Sequence, residues 1–139
     1  MLCEELKSEE VAKVNDFYRK TAYFRSVTEK ERVFIVRDEG KIVGALCVES
    51  EADIRVLRGM YVLPELVRKK IGTTLLQFIE PVLKDKDAYC IPYRHLEGFY
   101  ETIGFKAVDV NGTPDFIANR FNLYCAKGLE VLIMYRPKG

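Results

Sequence analysis

Residues 59–76 read GMYVLPELVRKKIGTTLL and divide into three parts. Met60–Leu63 is apolar and β-prone, and Pro64 ends the run because proline has no N–H to give a sheet ladder. A polar turn leads into a segment where Ile71, Leu75, Phe78, Ile79 and Val82 recur at helical spacing, so a helix is expected over about 68–83. The first helical turn carries N–H groups without an intrahelical partner, and the helix dipole favours an anion there. Gly72 has no β-carbon and leaves the backbone open to a pyrophosphate. Arg68, Lys69 and Lys70 place three cations at the end where the dipole already disfavours them. Such a cluster fits a bound anion and equally fits a solvated helix start, and this stretch alone does not separate the two.

Upstream, Arg32–Asp38, Lys41–Glu49 and Ile54–Leu63 read as strands joined by the short turns Glu39-Gly40 and Ser50–Asp53, an antiparallel meander. A first helix starts near Ser8, with Glu9 and Glu10 suited to its positive end and Val11, Val14 and Tyr18 on one face. The stretch Thr21–Glu31 is ambiguous and reads as a short second helix and a loop. Downstream, Ala88–Pro92 is a short strand, and His95–Ile103 a helix closed by Gly104. Phe105–Val110 is a strand, Thr113-Pro114 the N-cap and first residue of a helix ending at Gly128, and Leu129–Tyr135 the last strand. The pattern predicts one α/β domain over residues 1–139, with a mixed, mostly antiparallel central sheet flanked by helices.

Composition narrows the function. With 48% hydrophobic residues the chain can bury a core, and a net charge of +1 gives no overall attraction for nucleic acid. Cys3, Cys47, Cys90 and Cys125 form no CxxC pair, and His95 is the only histidine, so no metal site and no disulfide framework are expected. MLCEELKSEE has acidic residues where a secretory signal needs a basic start and an apolar run. No apolar stretch approaches the ~20 residues of a bilayer span. The expectation is a cytoplasmic protein with free thiols and no membrane partner.

Met60–Leu76 resembles the acyl-CoA-binding segment of the GNAT superfamily, a hydrophobic strand followed by V-x-P-x-x-R/Q-x-x-G-x-G/A-x-x-L-L. Val62, Pro64, Ile71, Gly72, Leu75 and Leu76 fall on that pattern without a gap, whereas Val67 replaces the usual Arg or Gln and Lys70 the first glycine. If the backbone at Lys70 is already helical, its side chain points away from the phosphates. Phe99–Phe105, FYETIGF, is similar to the family's other signature helix, FYxxxGF. The two segments with their flanking elements cover roughly residues 30–110.

The resemblance implies a GNAT-like fold, acetyl-CoA as co-substrate, an amine acceptor, and direct attack in a ternary complex. It implies a CoA-binding set of Met60, Tyr61, Val62, Arg68, Lys69, Lys70, Ile71, Gly72 and Thr73. In it the strand Gly59–Leu63 splays from its neighbour, and the pantetheine arm bonds Met60 and Val62. The Val62 N–H polarises the acetyl carbonyl, and N–H groups near 68–73 hold the pyrophosphate. Tyr100 stands where the family often keeps a general acid for the departing thiolate, though an aromatic on the core face would read the same. The general base stays open between Glu49, His95 and ordered water, because the strand before the CoA segment offers Arg55 and Arg58 where some members have a carboxylate. Tyr18, Tyr23, Phe24 and Arg25 are candidates to line the acceptor side. The 113–127 helix shapes that side, extends a homodimer interface or only covers the sheet. A non-catalytic acyl-CoA sensor of the same fold remains the alternative. A nucleic-acid-binding domain using Arg55, Arg58, Arg68, Lys69 and Lys70 is a distant third, against the near-zero net charge.

Overall fold

The computed structural model describes residues 1–20, 27, 28 and 30–139, and their side chains except those of residues 68 and 69. Tyr23, Phe24 and Arg25 lie outside the described residues. The strands are β1 (Leu2–Glu5), β2 (Glu31–Asp38), β3 (Lys41–Glu51), β4 (Ile54–Val62), β5 (Ala88–Cys90), β6 (Lys106–Val108) and β7 (Ile133–Arg136). The helices are α1 (Val11–Arg19), α2 (Ile71–Ile79), α3 (Glu97–Glu101) and α4 (Asp115–Ala126). The strands form one sheet in the order β1-β2-β3-β4-β5-β7-β6. Every pairing is antiparallel except β4 with β5.

The expected meander is present. Glu39 and Gly40, and then Ala52 and Asp53, have positive φ, as two-residue hairpin turns require. β3 runs two residues further than expected, to Glu51, so the second turn is only Ala52-Asp53. β1 was not expected at all. Its four residues are too short to carry a strand pattern, and what holds them lies far along the chain: Arg37 bonds Glu4 at 2.7 Å, and Arg32 bonds Glu5 at 2.8 Å.

β4 is not a regular strand. Ala45 faces Tyr61 and Cys47 faces Arg58, so two steps on β3 oppose three on β4, and the extra residue is taken up at Gly59 with φ 66°. The bulge inverts the side-chain alternation. Leu57, Met60 and Val62 face α2 and α3, whereas Tyr61 faces α1. The Tyr18 hydroxyl, fully buried, donates to the Gly59 carbonyl at 2.6 Å and satisfies an oxygen that the bulge turns out of the ladder.

The helix expected over 68–83 is three pieces. Pro64–Lys69 is a 3-10 turn, Lys70 is left-handed at φ 60° and ψ 30°, and α2 begins only at Ile71. Pro81 then removes an N–H from the ladder, and the chain continues as a 3-10 turn over Glu80–Leu83. Likewise the helix expected from His95 is a 3-10 turn at Arg94–Leu96 followed by α3. Thr113, read as an N-cap, instead bonds back to the Val110 carbonyl at 2.7 Å, and Pro114 is the cap residue. The last strand starts at Ile133 rather than Leu129.

Three apolar clusters stitch the layers. One lies under α2 and α3 and includes Leu46, Val48, Leu75, Ile79 and Phe105. On the other face, Val14, Phe17 and Tyr18 of α1 cover Ile35, Ala45 and Cys47, while Ile117 of α4 covers Val56 and Ile133. α4 is also fastened to β3 by charge. Arg120 Nη1 and Nη2 donate to Glu49 Oε1 and Oε2 at 2.7 and 3.0 Å, and Glu49 is only 6% exposed. The hydrogen bond that Arg120 donates to Glu49 leads the effects that raise the Arg120 proton affinity.

Two stability measurements check this packing. Lys70→Gly relieves a left-handed side-chain clash worth roughly 1–2 kcal/mol and loosens the unfolded chain by less, so the urea midpoint should rise by the equivalent of about 0.5 kcal/mol. A lower midpoint would mean that Lys70 makes a contact outweighing its strain. Arg120→Ala removes both short hydrogen bonds to the buried Glu49, and should cost about 2–3 kcal/mol in the same assay. A loss below about 0.5 kcal/mol, the range of an ordinary surface change, would show that the pair is not holding α4.

Candidate active site

β4 and β5 share only two register pairs, Arg55 with Ala88 and Val56 with Tyr89, and then separate. A cavity of about 230 Å³ occupies the gap. Its walls are Val56–Met60 of β4, Cys90–Tyr93 at the end of β5, Leu96 and Tyr100 beneath, and Arg120 and Tyr124 of α4 above. The cavity therefore touches both layers that sandwich the sheet.

The backbone of β4 is aimed at this gap. Leu63 N–H bonds the Val43 carbonyl at 3.0 Å, so Leu63 uses its peptide groups toward β3. Because residues in a strand alternate in this respect, Val62, and Met60 by the same step, present theirs to the side from which β5 has departed. Tyr61 is placed differently. It pairs with Ala45 of β3, and its ring packs on Phe17 at 6.0 Å between centroids.

Beyond Val62 lies a set of converging N–H groups. Thr74 N–H is the first to bond within α2, to Lys70 O at 3.0 Å, which leaves the N–H groups of Ile71, Gly72 and Thr73 at the helix start without an intrahelical acceptor. The change from the 3-10 turn to the left-handed Lys70 is a conformation in which successive N–H groups turn toward one point. Helix dipole and convergence together suit a phosphate. The backbone at Lys70 is thus not helical, contrary to the expectation above: it takes the conformation that glycine adopts most easily. The missing β-carbon of Gly72 has a neighbour as well. A Cβ there would stand 3.0 Å from the Phe99 ring and 3.9 Å from Val62, so this glycine admits an aromatic ring rather than only a ligand.

Tyr100 is 5% exposed, meets Phe99 at 5.0 Å and Phe105 at 6.3 Å edge to face, and lines the cavity. Glu49 and His95 sit elsewhere. The Glu49 carboxylate accepts from Arg120 at both oxygens, which occupies the lone pairs that a base would use. His95 is exposed and stacked on Tyr93 at 5.9 Å, and only Tyr93 reaches the cavity wall. Tyr18, a candidate for the acceptor side, is used inside the fold on Gly59. Cys90 also lines the cavity, and burial pushes its thiol well above the ordinary range, so it stays protonated.

Sequence reasoning missed the bulge at Gly59, the Arg120–Glu49 pair and the placement of Arg58 and Tyr124 in the cavity wall. A glycine inside an otherwise β-prone run was the one available signal for the bulge. Nothing local pointed to the rest.

The acetyltransferase (GNAT) domain family matches residues 29–107, more than half of the chain. No curated protein matches the sequence significantly. Among solved structures the ribosomal-protein-S18-alanine N-acetyltransferase of Escherichia coli superimposes with a TM-score of 0.71 at 17% identity, over 98% of this chain and 92% of that one. Rv2747 of Mycobacterium tuberculosis, solved in complex with CoA, gives 0.74 at 15% identity over 99% of both chains. Escherichia coli ElaA gives 0.69 at 16%, over 97% of this chain and 98% of that one. With the family match running through the splayed strands and into β6, on a fold these structures share throughout, the chain belongs to the GNAT acetyltransferase family.

Proposed function

We propose that this protein transfers the acetyl group of acetyl-CoA to an amine, by direct attack within a ternary complex. The observation that carries the reading is the gap between β4 and β5, with the N–H cradle at 70–73 beyond one end and Tyr100 in its wall. Pantetheine lies along Met60–Val62 as a surrogate strand, and the pyrophosphate takes the N–H groups of Ile71, Gly72 and Thr73. Complexes of similar folds with CoA, Rv2747 among them, support the choice of ligand.

The amine nitrogen attacks the thioester carbonyl carbon from the α1 and α4 side. As the C–N bond forms, negative charge gathers on the carbonyl oxygen, where the Val62 N–H donates to it. The intermediate then expels the CoA sulfur, and Tyr100 gives that sulfur its proton. The proton leaving the nitrogen passes through water and restores Tyr100. Water is preferred to Glu49 and His95, because one carboxylate is tied to Arg120 and the imidazole stands outside the cavity. A non-catalytic acyl-CoA sensor draws support from the same fact, that among the described residues no carboxylate or imidazole is in the cavity wall. Turnover with any amine decides between the two.

Calorimetry should find CoA and acetyl-CoA bound with micromolar affinity, about −8 kcal/mol. Folded protein giving neither heat nor a heat-capacity change with both compounds would remove the proposal. Tyr100→Phe keeps the ring contacts and deletes the proton, so kcat should fall about 10²–10⁴-fold with CoA affinity unchanged. A kcat within about threefold of wild type, far short of a general-acid effect, would make Tyr100 a packing residue.

A further inference from the structure

We infer that the acceptor amine carries a carboxylate, that Arg58 holds it, and that the rest of the acceptor is small and apolar or aromatic. The inference rests on the acetyl-transfer reading above and adds the chemical class of the acceptor.

Arg58 of β4 and Arg120 of α4 both line the cavity, and Glu49 lies between them. Both oxygens of Glu49 are taken by Arg120, whereas Arg58 Nη1 remains 3.8 Å from Oε1, beyond hydrogen-bond length. One carboxylate thus faces two guanidinium groups, and a positive charge is left over. Among the described residues the Arg58 guanidinium makes no hydrogen bond. Among the described residues no Asp or Glu lines the cavity to balance it.

Arg58 is not a surface arginine that water solvates freely. Its side chain is about one third exposed, and the bulge at Gly59 fixes the strand immediately after it. An unmatched, planar five-donor fork in a half-enclosed wall is suited to a carboxylate bound at two oxygens. Met60, two residues further, begins the backbone assigned to pantetheine, so an anion on Arg58 sits beside the point of transfer. The other walls facing this end are Ile91, Tyr93, Tyr124, Leu129 and Val131, which offer apolar and aromatic surface and no charge. Amine, carboxylate and apolar body together describe a small amino acid with an uncharged side chain. Polyamines and other polycations are disfavoured, because they bring charge of the same sign to two arginines.

The test uses matched pairs: L-alanine, L-leucine and L-phenylalanine against their carboxamides. Release of CoA from acetyl-CoA is followed, and affinity is read by calorimetry with and without saturating CoA. The acids should be preferred over the amides in kcat/KM and in affinity. Arg58→Met should raise KM for the acids about 10- to 100-fold while leaving the amides and CoA affinity unchanged, and Arg58→Lys should recover part of the loss. Equal use or binding of acid and amide, an equal effect of Arg58→Met on both, or no binding of any acid at millimolar concentration would overturn the inference. So would a preference for phosphoethanolamine over all three acids. Failure of CoA to bind would instead strike the acetyl-transfer reading, and acid-against-amide affinity would still report on Arg58.

Discussion

A parallel pair of strands that lets go after two residues is the constraint on which this molecule turns. β4 parts from β5 after Val56, and its course changes again at Gly59, where an extra residue bends the strand and reverses which face each later side chain occupies. The bulge would expose a carbonyl to an apolar layer were it not for the Tyr18 hydroxyl, delivered from α1 on the far side of β3. The first helix, the bulge and the cleft are thus one unit. A regular β4 would keep its ladder to β5 and leave neither an open peptide edge nor a cavity.

The two segments that carry the family resemblance are in physical contact. Phe99, from the second, packs where Gly72, at the start of the first segment's helix, lacks a β-carbon, and Val62 closes the same contact. This sets the N–H groups at the start of α2 at a defined position relative to Tyr100, the residue after Phe99. Arg136 braces the same region from below. Its guanidinium is buried, donates to the Ile103 carbonyl at 2.8 Å and approaches Glu80 at 3.5 Å, tying the end of the second segment to the end of the first. Lys70 is the local cost. A left-handed lysine is a strained choice, retained where the chain must reverse from the 3-10 turn into α2.

The sheet separates two chemistries. Below it, α2 and α3 present backbone donors and a phenol among apolar side chains. Above it, α4 brings Arg120 over Glu49 next to Arg58, a charged environment in which hydrogen bonds to an ionised group are strong because water has limited access. The cleft is lined from both environments. Its two sides differ in charge as a direct result of which helix covers which half of the sheet.

How much of this was legible before folding depends on how far apart the interacting residues lie. The hairpins at Glu39-Gly40 and Ala52-Asp53, the break at Pro64, the stripe of Ile71, Leu75 and Ile79, and the turn at Gly104 are all written within a few residues. There backbone dihedral preferences and side-chain periodicity act directly, and sequence reading located them. The same locality made the two signature segments readable, and with them the strand–turn–helix unit and the place of Tyr100 on its helix. What the tertiary structure alone decided are the relations between distant residues. Tyr18 and Gly59 are 41 positions apart, and Arg120 and Glu49 are 71. The pairing of β1 with β2 depends on arginines far along the chain, and the close fit of Gly72 to Phe99 depends on two helices meeting. A single sequence carries no period or spacing that reports such pairs, because their energy is realised only when the sheet brings them together. For that reason Glu49 read as a candidate base and folds bound to Arg120, while Arg58 read as a cation where some members have a carboxylate and stands in the wall of the cleft.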